Sequence, residues 1–242
     1  MLIIEQPLLA KWSQLTPESL QEGIVISINK PYGWTSADVV RKVKFKLQRY
    51  WKIKDIKVGH AGTLDPLATG VLLICIGRAT KAVESLQSQE KEYIASIRLG
   101  ATTPCFDLEK DIDHTYPVAH ITEQSVREAL SQMTGTLEQV PPQFSAKIID
   151  GKRAYEWARS GSEAQLKPAS IVVNQATLIS FNLPDIEVKI RCSKGTYIRA
   201  YARDLGLLLQ SGAHLTNLVR SQSGSFKVIQ SITMEVFEKI FQ

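Results

Sequence analysis

The chain has 242 residues, 44% of them hydrophobic and 22% charged, with 29 Lys and Arg against 24 Asp and Glu. This composition excludes a disordered chain and is ample for one large domain or two small ones with a substantial core. The net charge of +5 points to a polyanionic partner.

Residues 1–22 mix apolar and polar side chains around Pro7 and Pro17, and are read as an N-terminal arm ahead of a single domain over residues 23–242. The run GIVISI at 23–28 predicts a strand, closed by a turn NKPYG at 29–33. Thr35 then starts a helix, with Asp38 completing a capping-box variant. Val40, Val43, Leu47 and Tyr50 share one face of it. The cations Arg41, Lys42, Lys44, Lys46 and Arg49 read as a solvated face rather than an RNA contact.

Residues 59–81, GHAGTLDPLATGVLLICIGRATK, are the centre of the chain. A turn of small residues carries the imidazole of His60 and the carboxylate of Asp65. The apolar run 71–76 follows, bounded by Gly70 and Gly77, and reads as a buried strand. By itself an Asp-Pro pair is usually a turn or a helix start. Gly59 and Gly62 lack the spacing of a phosphate-binding P-loop.

Residues 92–99 predict a strand that begins near Tyr93, and 100–120 a polar loop or weak hairpin. The acids Asp107, Glu109, Asp111 and Asp113 lack the EF-hand spacing, so solvated acids and no metal are expected. Thr122 caps a helix that buries Val126, Ala129, Leu130 and Met133, and Gly135 ends it. Pro141 and Pro142 open a segment running to about residue 168 that holds Phe144, Lys147, Lys152, Arg153, Tyr155, Trp157 and Arg159. Its interleaved aromatics and cations fit two readings equally: a small helix packing Tyr155 and Trp157 on the core, or an insertion that grips RNA.

Residues 171–181 and 186–192 predict antiparallel strands joined at 182–185. The string SKGTYIR at 193–199 leads into a helix with Ala200, Leu205, Leu208 and Leu209, stopped by Gly212. A short strand at 225–229 and a short helix at 235–241 complete the chain. The elements mix without strict alternation, which gives an α+β fold around a mixed, largely antiparallel sheet flanked by helices. Cys75, Cys105 and Cys192 are far apart and odd in number, with no zinc-ligand spacing, so a reducing compartment is expected. There is no basic-then-apolar leader and no apolar run of about 18 residues, so a cytoplasmic chain with no membrane contact is expected.

The string at 59–72 closely resembles the catalytic loop of the TruB family of tRNA pseudouridine synthases, GHxGxLDPxAxGxL. Gly59, His60, Gly62, Leu64, Asp65, Pro66, Ala68, Gly70 and Leu72 fill its fixed positions. Residues 193–199 match the family's SKGTYIR motif. The strand, Lys-Pro-x-Gly turn and helix at 24–50, the segment at Tyr93 and residues 213–218 are also similar, so the resemblance runs from about 24 to 226.

The resemblance implies a pseudouridine synthase fold, a catalytic domain over 23–242, and an RNA-pressing thumb at about 141–168. It implies isomerisation of uridine 55 in the tRNA T-loop, with Asp65, Tyr93 and Arg199 as catalytic residues. His60, Tyr93, Tyr197 and Leu218 would bind substrate, and Lys30, Pro31 and Asp107 would support the site. Arg199 would hold the Asp65 carboxylate ionised, and Tyr93 would stack on the base. His60 would fill the gap left by the extruded nucleotide. No cofactor and no obligatory protein partner are implied, and the expected form is a monomer bound to the T-arm of tRNA. The family often has a TDTxD string after the third strand; here the segment is TPCFD, with Pro104 where an acid is usual and Asp107 kept. Little sequence follows Phe226, so no C-terminal PUA-type RNA-binding domain is expected. The alternatives are a guide-RNA-dependent pseudouridine synthase and a non-catalytic RNA-binding or tRNA-folding protein on the same scaffold.

Overall fold

The computed structural model describes residues 1–5, 15–145, 147–149, 151–154, 157 and 165–241. The chain divides into two compact units, Met1–Tyr93 with Val219–Gln242, and Ile94–Leu218.

In the first unit β1 (Leu2–Ile4) runs parallel to β2 (Ile24–Lys30), so part of the expected arm is a sheet edge. Helix α1 (Ser19–Glu22) is a single turn before β2. Helix α2 (Ser36–Trp51) begins with the expected capping box: Asp38 N donates to Thr35 Oγ1 at 3.1 Å, and Thr35 N donates to the Asp38 carboxylate at 2.8 Å. The two bonds satisfy donors that a helix start leaves free. Its buried face is Ser36, Val39, Val43 and Leu47, with Val40 only half-buried and Tyr50 exposed. The expected stripe is thus rotated, because Val39 rather than Val40 faces the sheet.

β3 (Val58–Ala61) and β2 both pair antiparallel with β4 (Ala68–Ile76). Strand β4 therefore has neighbours along its length, and residues 70–76 alternate onto two covered faces. That is why the run reads as continuously apolar rather than alternating. Val25, Ala61, Val71, Leu73, Cys75, Ala79, Leu86 and Phe226 form one buried cluster. Each large aliphatic side chain there contributes roughly 1.5–3 kcal/mol by leaving water. Leu86 lies on α3 (Val83–Ser88), which packs over that cluster.

The chain enters the second unit within β5 (Lys91–Leu99), whose residues alternate between buried and half-exposed. β6 (Ala101–Thr102) and β7 (His114–Thr115) pair antiparallel, so 100–120 is the weak hairpin rather than a plain loop. Thr122 caps α4 (Glu123–Gln132), which buries Val126, Ala129 and Leu130 as expected. Gly135, at φ +106°, ends the turn but also opens β8 (Gly135–Gln139), a strand not foreseen. Its sequence GTLEQ is too polar to show alternation.

β9 (Ile148–Ile149) and β10 (Lys152–Arg153) make a two-residue ladder in the segment read as a thumb. Tyr155 and Arg159 of that reading lie outside the described residues. β11 (Ala169–Asn182) and β12 (Asp185–Cys192) form the expected hairpin, and β8 pairs with the other edge of β11. Helix α5 (Ile198–Leu208) buries Ala200, Tyr201, Ala202 and Leu205, while Leu208 is exposed. β13 (Ala213–Ser223) is also unforeseen, and the order here is β13-β5-β12-β11-β8.

Residues 219–223 of β13 belong to the first unit, where the strand lies beside β4. β14 (Phe226–Lys227) turns back antiparallel on it and is shorter than the strand expected over 225–229. Helix α6 (Met234–Ile240) closes the chain, with Thr233 as its cap. Among the described residues β1 runs parallel to β2, whereas β2 with β4, β3 with β4, β11 with β12 and β8 with β11 are antiparallel, which makes the sheet mixed and the fold α+β. Among the described residues no helix is long and apolar enough to cross a membrane.

Candidate active site

In the first unit Asp65 sits in the short connection between β3 and β4, not at a helix start. The peptides around it are tied down one by one. Leu64 N donates to Ser36 Oγ at 2.9 Å, and Ser36 Oγ donates to Leu64 O at 3.1 Å. Gly33 N and Lys30 Nζ both donate to Pro66 O, at 2.9 and 3.2 Å. Ala68 N donates to Asp65 O at 3.1 Å, closing the turn. A carboxylate on this frame has its backbone position fixed before any substrate arrives.

Lys30 is fully buried and also donates to Pro31 O at 2.9 Å and Trp34 O at 2.5 Å. Its three N–H groups thus knit the Lys-Pro turn to the Asp65 loop. Burial pushes its pKa down to about 8, the nearby Asp65 charge opposes that, and Arg220 adds to it. Pro31 follows directly and supplies one of the three carbonyls. His60 belongs to β3, opposite Ile74, where a loop was expected. Its Nδ1 is buried with no hydrogen-bond partner among the described residues, and burial, then Arg220, lowers its pKa. The imidazole is accordingly neutral near pH 7. Tyr93, on β5, is 8% exposed.

In the second unit Arg199 lies in the first turn of α5 and is 4% exposed. Its Nη1 donates to Cys105 O at 3.2 Å and its Nη2 to Phe144 O at 2.8 Å. Nε stands 3.5 Å from Asp107 Oδ2. Asp107 is buried, against the expectation of a solvated acid, and its other oxygen accepts from Glu109 N at 3.0 Å. Tyr197 is the N-cap of α5, and Gln139 pins it through Tyr197 N to Gln139 Oε1 at 2.8 Å and Gln139 Nε2 to Tyr197 O at 3.1 Å. Leu218, on β13, is buried.

The candidates therefore fall into two groups. Lys30, Pro31, His60, Asp65 and Tyr93 are in the first unit, and Asp107, Tyr197, Arg199 and Leu218 in the second. The sequence reading missed Ser36, Gln139 and Arg220 as parts of these frames. Arg220 is buried two residues after Leu218 on β13, and because that strand was not foreseen nothing in the sequence marked it.

Residues 48–198 match the family described as TruB family pseudouridylate synthase (N terminal domain). The chain belongs to the TruB family. Two of its relatives carry the same name: "tRNA pseudouridine synthase B" of Phocaeicola vulgatus is 52% identical over 90% of this chain and 93% of its own length. The protein of that name from Flavobacterium johnsoniae is 44% identical over 94% of this chain and 100% of its own. A chain in the crystal structure of a Cbf5-Nop10-Gar1 complex matches with a TM-score of 0.67 at 28% identity, covering 92% of this chain and 56% of that one. The fold is thus that of the pseudouridine synthases, and the enzyme is an isomerase of that class.

Proposed function

We propose that the chain converts uridine 55 in the T-loop of tRNA to pseudouridine, with Asp65 as the essential carboxylate and no protein partner. The observation that carries this reading is the complete catalytic-loop string at 59–72 in a chain 52% identical to relatives named tRNA pseudouridine synthase B. The fixed peptides on both sides of Asp65 support it.

The reaction breaks the N1–C1′ bond, turns the detached uracil, and joins C5 to C1′. The proton on C5 is lost and N1 gains one, so the product is an isomer and no oxidant, reductant or group donor is needed. Asp65 acts in its ionised form, whether on the base, at C1′ or on a sugar proton. Arg199 is assigned as the cation that favours that form. Tyr93 stacks on the uracil and offers a hydroxyl for proton transfer, and Tyr197 and Leu218 line the pocket. His60, as a neutral ring, takes the place of the extruded base, which must leave its stack to react. The T-arm is gripped by phosphate, 2′-hydroxyl and stacking contacts.

The test is to incubate the purified protein, alone, with unmodified tRNA transcript and map pseudouridine along it. One pseudouridine at position 55, and none in a transcript with cytidine there, is expected. Isomerisation at other positions instead, or tight tRNA binding with no isomerisation, overturns the reading; the latter result returns the tRNA-folding alternative.

A further inference from the structure

Arg220 is 1% exposed, among the most deeply buried large side chains. Its guanidinium meets three neutral carbonyls: Nε donates to Val71 O at 2.6 Å, Nη2 to Gly62 O at 2.9 Å and Nη1 to Thr63 O at 3.3 Å. No carboxylate among the described residues pairs with it. A buried charge without a counter-ion is expensive, and a strand could be tied to β4 by ordinary ladder bonds without it.

The placement of the three carbonyls indicates what the charge does. Gly62 and Thr63 precede Asp65 by three and two residues, and Val71 follows it by six. The planar fork therefore spans the base of the Asp65 loop from both sides, something a single-point ammonium cannot do. Gly62, at φ +92°, has its bare Cα against the fork: a Cβ there would lie 3.5 Å from Arg220 Nη1. Ser36 holds the peptide at Leu64 and Lys30 that at Pro66, and Arg220 adds anchors at Gly62, Thr63 and Val71 of the same loop.

We propose that Arg220 is a positioning residue for the reaction: it fixes the loop that presents Asp65 through the carbonyls of Gly62, Thr63 and Val71, without touching the substrate. The proposal rests on the assignment of Asp65 above.

The test compares the full-length wild type with Arg220→Lys and Arg220→Met. Three quantities are read: the single-turnover rate at saturating tRNA, the tRNA Kd, and amide hydrogen exchange by mass spectrometry. In the folded Arg220→Lys protein, a rate loss of at least about tenfold is expected with Kd changed by less than about threefold. Exchange should rise in the peptide covering residues 59–67 and stay unchanged in peptides of α2, α4 and β11. A general destabilisation would raise exchange across the first unit and lower the rate only as far as the folded fraction falls. A wild-type rate and wild-type exchange in either folded variant overturn the proposal. So does a rate loss matched by an equal loss of binding, or failure of both variants to fold, which would make Arg220 a requirement of the fold. If the wild type makes no pseudouridine, the functional reading fails separately, and the exchange of residues 59–67 still decides whether Arg220 holds the loop.

Discussion

Gly70 and Arg220 lie backbone against backbone: a Cβ built on Gly70 would stand 2.2 Å from Arg220 O and 2.7 Å from Arg220 N. The glycine at this fixed motif position lets β13 close on β4, which brings the Arg220 side chain over Gly62, Thr63 and Val71. Its φ of +101° adds a second reason for glycine.

Gly70→Ala should therefore destabilise the protein by more than about 2 kcal/mol, since strain and a backbone clash add. Gly135→Ala is the control, because Gly135 has φ +106° and nothing within 4 Å of an added Cβ. Urea unfolding of both should show the larger loss at Gly70. Equal losses would mean that β13 and β4 separate easily.

Arg199→Lys should lower single-turnover rate by more than about tenfold, with a smaller effect on tRNA affinity. Lysine keeps a charge for Asp107 but cannot also reach both Cys105 O and Phe144 O, leaving buried acceptors unpaired. Rapid-quench measurement of pseudouridine under enzyme excess checks this, and a wild-type rate would show the fork to be dispensable.

Lys30 predicts a pH effect with a definite sign. Its folded pKa is about 8 against an ordinary 10.5. Between those values the unfolded chain holds a proton that the folded chain has released, so this group makes stability rise with pH. Below about 8 the full penalty of the buried charge applies. Lys30→Met lacks the titration. The wild type's stability minus that of Lys30→Met should thus grow between pH 8 and 10.5, as read from urea midpoints. A difference that stays flat over that range would place the Lys30 pKa near its ordinary value.

Much of this fold is local and could be read along the chain. Thr35 with Asp38, Thr122 before its apolar face, the run 71–76 and the hairpin at 182–185 each carry their cause within a few residues. β8 and β13 do not. GTLEQ is polar because β8 is stabilised by pairing with β11 rather than by its own burial. In β13 the consecutive residues Ala213, His214 and Leu215 are all buried, and the buried His214, Arg220 and Ser223 are polar, which hides the alternation of a strand. His214 is satisfied by Ala101 O and Arg220 by carbonyls some 150 residues away in sequence, partners no window can show.

The site divides in the same way. Asp65 and Arg199 stand in strings distinctive enough to be named from the sequence. Asp107 sits in an acid-rich stretch that reads as solvated, and only the approach of Arg199 explains its burial. Ser36 looks like an ordinary residue of a helix start until its hydroxyl is found on Leu64.

The central claim is that the Asp65 carboxylate performs the isomerisation. Its most direct test uses tRNA labelled with tritium at uridine C5, which releases the label when C5 bonds to C1′. Wild type and Asp65→Asn are compared for tritium release, and tRNA binding is measured in parallel. The side chain of the variant keeps its size but loses its charge, while phosphates and RNA shape supply the affinity. No release above background with Kd within about threefold of wild type is expected. Sustained release by an Asp65→Asn protein verified free of deamidation would contradict the account.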